Sequence, residues 1–132
     1  MKKFYQNKKV IVTGHTGFKG SWLCAWLYLL GAKVYGIALD PPTKPSHFEL
    51  LDLKNKINSK ILDIRNKQKI KDTISSINPD IIFHLAAQPI VSESFEDPVK
   101  TFDTNFMGSI NVMESLRENK HDCILVMITS DK

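Results

Sequence analysis

The sequence predicts an α/β domain built on a doubly wound parallel sheet. Three observations carry that reading. Runs of β-branched and aliphatic residues alternate with segments of helical periodicity. The runs are apolar throughout instead of alternating with polar residues, as strands covered on both faces are. The first run ends in three glycines at intervals of three, Gly14, Gly17 and Gly20, directly before a helical pattern. Crossovers between parallel strands are right-handed, so helices cover both faces of the sheet and ligands bind at the carboxyl ends of its strands.

Taken in order, KKVIVTG is a short β-branched run closed by Gly14. FKGSWLCAWLYLLG comes next, with Phe18, Trp22, Trp26, Leu29 and Leu30 spaced for one helical face before Gly31 stops it. AKVYGIAL is a second strand, and the three prolines of DPPTKPS then require a loop. A weaker strand around Ser59 to Leu62 leads into NKQKIKDTISSI, whose Ile70, Ile74 and Ile77 mark a helix closed by NPD. IIFHLAA reads as a strand buried on both faces. A polar loop precedes the long helix of Asp97 to Asn119, with Phe102, Phe106, Ile110, Met113 and Leu116 on one stripe. CILVMITS is a fifth buried strand, and about five strands make an incomplete sheet of this class.

The chain of 132 residues, 42% hydrophobic, has material for one core and one domain, residues 1–132. Its net charge of +4 comes from lysines scattered along the chain without aromatic interleaving, which reads as a solvated face and not as a nucleic-acid surface. Cys24 and Cys123 have no paired spacing and suggest neither a disulfide framework nor a zinc site. The polar start is not a signal peptide, and no apolar run approaches the roughly 18 to 20 residues of a membrane span. A soluble cytoplasmic protein is expected.

The glycine loop stands where a dinucleotide site needs it. One glycine makes the tight turn, the next lets a pyrophosphate approach, and the third packs helix on strand. His15, Thr16, Phe18 and Lys19 lie between and beside them. The spacing is GxxGxxG, and the absence of GK[ST] argues against a P-loop. Asp40, at the end of the second strand, is placed to accept from a ribose and to repel a 2′-phosphate, favouring NAD over NADP; its alternative role is to open the proline loop as a turn residue. Asp63 in LDIRN is placed to accept from an adenine amino group, or else caps the next helix, a role Asn66 also fits. In HLAAQP, Ala86 and Ala87 leave room for a cofactor against the backbone, or pack helix on sheet. His84 is expected to be a hydrogen-bonded core residue. His15, His47 and His121 have no partners at ligand spacing, so no metal site is expected. Ser130, Asp131 and Lys132 bring a hydroxyl, a carboxyl and an amine past the fifth strand, at the edge carrying the glycine loop.

Taken together, TGHTGFKG, ALDPPTKPSHFEL, DIRN, FHLAAQPIV, DPVKTFDTNFMGSINVMES and TSDK resemble the extended short-chain dehydrogenase/reductase family, in particular its nucleotide-sugar 4,6-dehydratases. The resemblance implies a Rossmann-type domain that binds NAD. Cofactor contacts are implied for Gly14, His15, Thr16, Gly17, Phe18, Lys19 and Gly20, for Asp40, Asp63 and Ile64, and for Leu85, Ala86, Ala87, Gln88 and Asn105. It also implies catalytic roles: Ser130 on the sugar C4 hydroxyl, Asp131 as the acid for the departing C6 hydroxyl, and Lys132 where related dehydratases carry a glutamate base. CDP-glucose is the favoured nucleotide-sugar substrate and a homodimer the expected assembly of the full-length parent, through the helix of Asp97 to Asn119. That helix leaves open whether Phe102, Phe106 and Met113 serve the interface or the core. The family's base is a tyrosine of a Tyr-x-x-x-Lys motif beyond TSDK, and Tyr28 and Tyr35 fail that motif. An inactive amino-terminal fragment without the sugar-nucleotide domain is therefore expected. A GDP-mannose 4,6-dehydratase, a UDP-sugar 4-epimerase and a non-catalytic dinucleotide sensor are the alternatives.

Overall fold

A computed structural model describes residues 1–119 and 122–129. Its strands are β1 (Lys9–Thr13), β2 (Lys33–Ala38), β3 (Asn58–Ile61), β4 (Ile81–His84) and β5 (Ile124–Met127). They form one parallel sheet in the order β3-β2-β1-β4-β5. The register aligns Val10 with Val34 on one side and with Ile81 on the other, and His84 with Met127. The helices are α1 (Lys2–Tyr5), α2 (Phe18–Leu29), α3 (His47–Leu50), α4 (Lys67–Ile77), α5 (Val91–Glu96), α6 (Pro98–Phe102) and α7 (Gly108–Asn119), with a π-helical segment at Asp103–Met107 between the last two.

The apolar strands bury both faces because a core lies on each side of the sheet. Val10 and Val12 point to one side with Cys24 and Leu27 of α2, and with Phe48 and Leu53 beyond the proline loop. Ile11 and Ile82 point to the other, against Ile70 and Ile74 of α4 and Val112 of α7. Successive strand side chains alternate faces, so a strand between two cores is apolar at every position.

One expectation is corrected, the burial of the fifth strand, and two helical stripes whose direction the sequence left open are oriented. The aromatic stripe of α2 faces outward: Phe18, Trp22, Trp26 and Leu29 are between 55% and 72% exposed, while Gly20, Ser21, Cys24 and Leu27 face the sheet. The buried side is mostly small because α2 starts in contact with the glycine loop. The stripe on the long helix divides: Phe102, Phe106 and Met113 lie outside the core, while Leu116 packs against it. A π turn carries more residues than an α turn and rotates the helix beyond it, so Gly108, Asn111, Val112 and Ser115 face inward while Phe102, Phe106 and Met113 are exposed. β5 is an edge strand of this sheet and not a buried one, with Ile124 54% exposed. The short helices α1, α3 and α5 carry too few turns for a periodicity to register. In α3 the signal was a capping box, Ser46 with Glu49.

Candidate functional site

The sheet order reverses between β1 and β4, and the glycine loop leaves β1 there. Crevices at such a switch point, beyond the carboxyl ends of the strands, are where open α/β sheets bind ligands. Gly14 has φ of +74°, and a Cβ on it would lie 2.9 Å from the Ala86 nitrogen. A Cβ on Gly20 would lie 2.1 Å from the Gly14 carbonyl oxygen. Those two glycines are required by the chain's own packing. Gly17 is not: its φ is −75°, and a Cβ would meet only the Gly14 oxygen, at 3.4 Å. Gly17 is also the N-cap of α2, and no side chain caps that helix. The first-turn amides of Phe18, Lys19 and Gly20 therefore point out of the helix start beside bare backbone, a seat suited to an anion.

The loop's other residues divide by direction. Thr16 is buried and its hydroxyl donates to the Leu39 carbonyl at 2.9 Å, tying the loop to the end of β2. His15 is fully buried, and Nε2 shares a 2.7 Å hydrogen bond with the Ser59 hydroxyl of β3. Its ring crosses β2 over Gly36, where a Cβ would lie 2.3 Å from the imidazole, and meets Phe48 edge-on at 5.2 Å. Burial pushes this imidazole down to about 4, the Ile37 carbonyl acting in the smaller, opposite sense. The His15 side chain thus braces the loop from beneath. Phe18 and Lys19 are exposed; Phe18 and Trp22 both lie against His47, which shares a 2.7 Å hydrogen bond with Ser21.

Asp40 is exposed, two residues beyond the end of β2, on the rim of a cavity of about 860 Å³ along β3. That cavity is lined by Phe48, Ser59, Lys60 and Thr73, among others, and by no residue of the glycine loop. Asp63 forms an ion pair with Arg65 at 2.7 Å, and the guanidinium hydrogen bonds hold its carboxyl below the usual range. The helix-capping role belongs to Asn66, whose side chain accepts from the Lys69 amide at 3.1 Å. Ile64 is buried against Gly108, where a Cβ would lie 2.5 Å from its Cδ1. Asn111 holds this segment by donating to the Ile64 and Arg65 carbonyls at 3.0 and 3.2 Å. Sequence reasoning missed Asn111 because only the π segment reveals which face of the helix turns inward.

On the β4 side, Leu85, Ala86, Ala87 and Gln88 form an irregular ribbon next to Gly14. Thr13 Oγ1 accepts from the Leu85 and Ala86 amides, both at 3.1 Å. Asn105, in the π segment, accepts from the Gln88 amide at 2.7 Å and donates to its carbonyl at 3.0 Å. His84 is the hydrogen-bonded core residue expected, between Thr13 and Ser109, and burial lowers its pKa. Ser130, Asp131, Lys132 and His121 lie outside the described residues. β5 does lead to this edge, with the Ile128 amide donating to the His84 carbonyl at 3.0 Å.

Residues 11–132 match the family described as GDP-mannose 4,6 dehydratase. The chain belongs to that family. It is 49% identical over 131 residues to a CDP-glucose 4,6-dehydratase of Salmonella typhimurium, which covers 99% of this chain and 36% of the relative. A crystal structure of UDP-glucose-4-epimerase from Stenotrophomonas maltophila, with bound NAD and formylated UDP-arabinopyranose, superposes with a TM-score of 0.77 at 26% identity, covering 95% of this chain and 38% of that one. A UDP-glucose 4-epimerase of Thermus thermophilus, in complex with NAD, superposes with a TM-score of 0.73 at 28% identity over 86% of this chain and 35% of that one. The chain thus spans about a third of the length of the proteins it matches. The doubly wound α/β fold of this dehydratase family member is shared with those epimerases.

Proposed function

We propose that this chain is the amino-terminal, cofactor-binding part of a nucleotide-sugar 4,6-dehydratase that holds NAD and acts on CDP-glucose. Gly17 is the observation that carries the cofactor reading. Its missing side chain relieves neither a strained φ nor a crowded protein contact, and it stands at an uncapped helix start. Space and unpaired amides together fit a diphosphate. Asp40 would accept from the adenosine ribose and Asp63, oriented by Arg65, from the adenine amino group. Ala86 and Ala87 would leave the nicotinamide end room against the backbone. The likeness to the CDP-glucose enzyme of Salmonella typhimurium, at 49% identity, supports the substrate.

When bound, NAD would supply the hydride chemistry, taking hydride from sugar C4 and giving it back at C6, with the C4 hydroxyl proton passing to the family's tyrosine base. The chain's own groups orient and transfer protons. Ser130 would hold the C4 hydroxyl, Asp131 would protonate the departing C6 hydroxyl, and Lys132 would take the place where related dehydratases carry a glutamate base. The acid role requires Asp131 to be protonated when the C6 hydroxyl leaves. The exposed Phe102, Phe106 and Met113 support a homodimer of the parent through α6 and α7. A UDP-sugar 4-epimerase is the second reading, favoured by the superposed epimerase structures at 26% and 28% identity.

Calorimetric titration tests the cofactor reading: one NAD per chain with NADP weaker supports it, and binding of neither refutes it. Turnover by the parent of CDP-glucose, against dTDP-glucose, GDP-mannose and UDP-glucose, tests the substrate. Conversion of UDP-glucose to its C4 epimer in place of dehydration would establish the second reading.

A further inference from the structure

One hydrogen-bonded chain runs behind the crevice from β1 to the π segment. Thr13 Oγ1 meets the Leu85 and Ala86 amides, both at 3.1 Å, and His84 Nδ1 at 2.8 Å. His84 Nε2 meets the Ser109 hydroxyl at 2.9 Å, and Ser109 donates to the Asn105 carbonyl at 2.7 Å. The Asn105 side chain grips both backbone polar groups of Gln88.

Donor and acceptor counts fix the direction of every bond. A threonine hydroxyl has two acceptor sites and one proton. The two amides occupy the acceptor sites, the Leu85 amide being shared with the Thr13 carbonyl at 3.3 Å, so the Thr13 proton goes to His84 Nδ1. That nitrogen is therefore unprotonated and Nε2 carries the hydrogen, which it donates to Ser109. The Ser109 proton is then free for Asn105. The opposite tautomer would put three donors on the Thr13 oxygen and leave its proton without an acceptor. It would also draw the Ser109 proton away from the Asn105 carbonyl.

The ribbon from Leu85 to Gln88 is thus held at both ends by one chain with His84 at its centre. Its middle stands against Gly14, where even a methyl group has no room. We propose that His84, as the neutral Nε2–H tautomer, is a positioning residue that holds this ribbon in register with the glycine loop and so sets the affinity of the crevice for dinucleotide without touching it. The affinity part rests on the cofactor reading above; the tautomer part does not.

Long-range proton–nitrogen NMR on histidine-labelled wild-type protein at neutral pH tests the chain itself. The His84 signals, assigned by their loss in His84→Gln, are expected to show a single Nε2–H tautomer; an Nδ1–H tautomer, a tautomer mixture or a doubly protonated ring overturns the proposal. NAD titration tests its consequence. Thr13→Val removes both the acceptor and the donor, leaves the two amides without that partner, and is expected to weaken NAD by about tenfold or more. Thr13→Ser restores the hydroxyl and is expected to restore affinity. Wild-type affinity in folded Thr13→Val, or no rescue by serine, overturns positioning. Failure of wild type to bind NAD would instead refute the cofactor reading, with the tautomer experiment still deciding the chain.

Discussion

Replacing Gly17 by aspartate separates the anion seat from the fold. Gly17 has φ of −75° and ψ of 168° at the N-cap of α2, so aspartate fits the backbone, and its Cβ meets only the Gly14 oxygen at 3.4 Å. An N-cap carboxylate gains a few tenths of a kcal/mol over glycine and about 0.3 to 1 kcal/mol from the helix dipole. At about 2 cal/mol/K per residue, a gain of about 0.5 to 1 kcal/mol raises the melting temperature of 132 residues by about 2 to 4 °C. The same carboxylate occupies the diphosphate's place. At about 4 Å each charge pair costs about 1 kcal/mol in water and about 4 near a protein surface, so two pairs weaken NAD by at least about thirtyfold. Gly20→Ala is the counterpart: its Cβ would lie 2.1 Å from the Gly14 oxygen, an overpacking of about 3 kcal/mol and a melting temperature lower by about 10 °C. Thermal denaturation and NAD calorimetry on both variants read the two effects. A Gly17→Asp protein that binds NAD as wild type does, or that melts well below it, would refute the reasoning.

The remaining expectations concern pH, cofactor choice and assembly. His15 titrates at about 4 when folded against 6.5 ordinarily; between those values the unfolded chain binds the extra proton, so stability falls with falling pH by up to about 1.4 kcal/mol per unit. His15→Asn should flatten that acid limb in denaturant titrations, and parallel limbs would contradict the buried neutral ring. Asp40→Asn should improve NADP relative to NAD by about tenfold, from the loss of about 1 to 2 kcal/mol of repulsion on a 2′-phosphate; an unchanged ratio removes Asp40 from the ribose site. Phe102→Glu with Phe106→Glu should leave the stability of the folded chain within about 0.5 kcal/mol, because both rings are exposed. The same pair should shift the parent toward monomer in sedimentation; a dimer of undiminished affinity would place the interface elsewhere.

Local chemistry decides the features that are plainest in the sequence. The strand cores, the helix at Ile70 and Ile74, and the switch-point glycines emerge from apolar runs, periodicity and turn chemistry. Orientation was less legible. Trp22 and Trp26 share a helical face in the sequence, yet only the contact between Gly20 and Gly14 shows that the opposite, small-residue face must meet the sheet. The inward turn of Asn111 depends on a π segment that hydrophobic spacing does not announce. β5 reads as buried because its residues are apolar, whereas burial depends on a neighbour across the sheet. In the site, the sequence already gives the three glycines different roles; the structure has Gly14 at positive φ in the turn and Gly20 packed on the Gly14 carbonyl, while neither a strained φ nor a crowded contact requires Gly17. His15 sits in the loop motif, but its side chain turns to Ser59 through a gap that Gly36 alone provides.

A crystal structure of this chain with NAD tests the central claim most directly. The account predicts the diphosphate over Gly17, accepting hydrogen bonds from the first-turn amides of α2, with the nicotinamide end running toward Ala86 and Gln88. NAD lodged instead in the cavity of about 860 Å³ along β3, between Phe48 and Thr73, would contradict it.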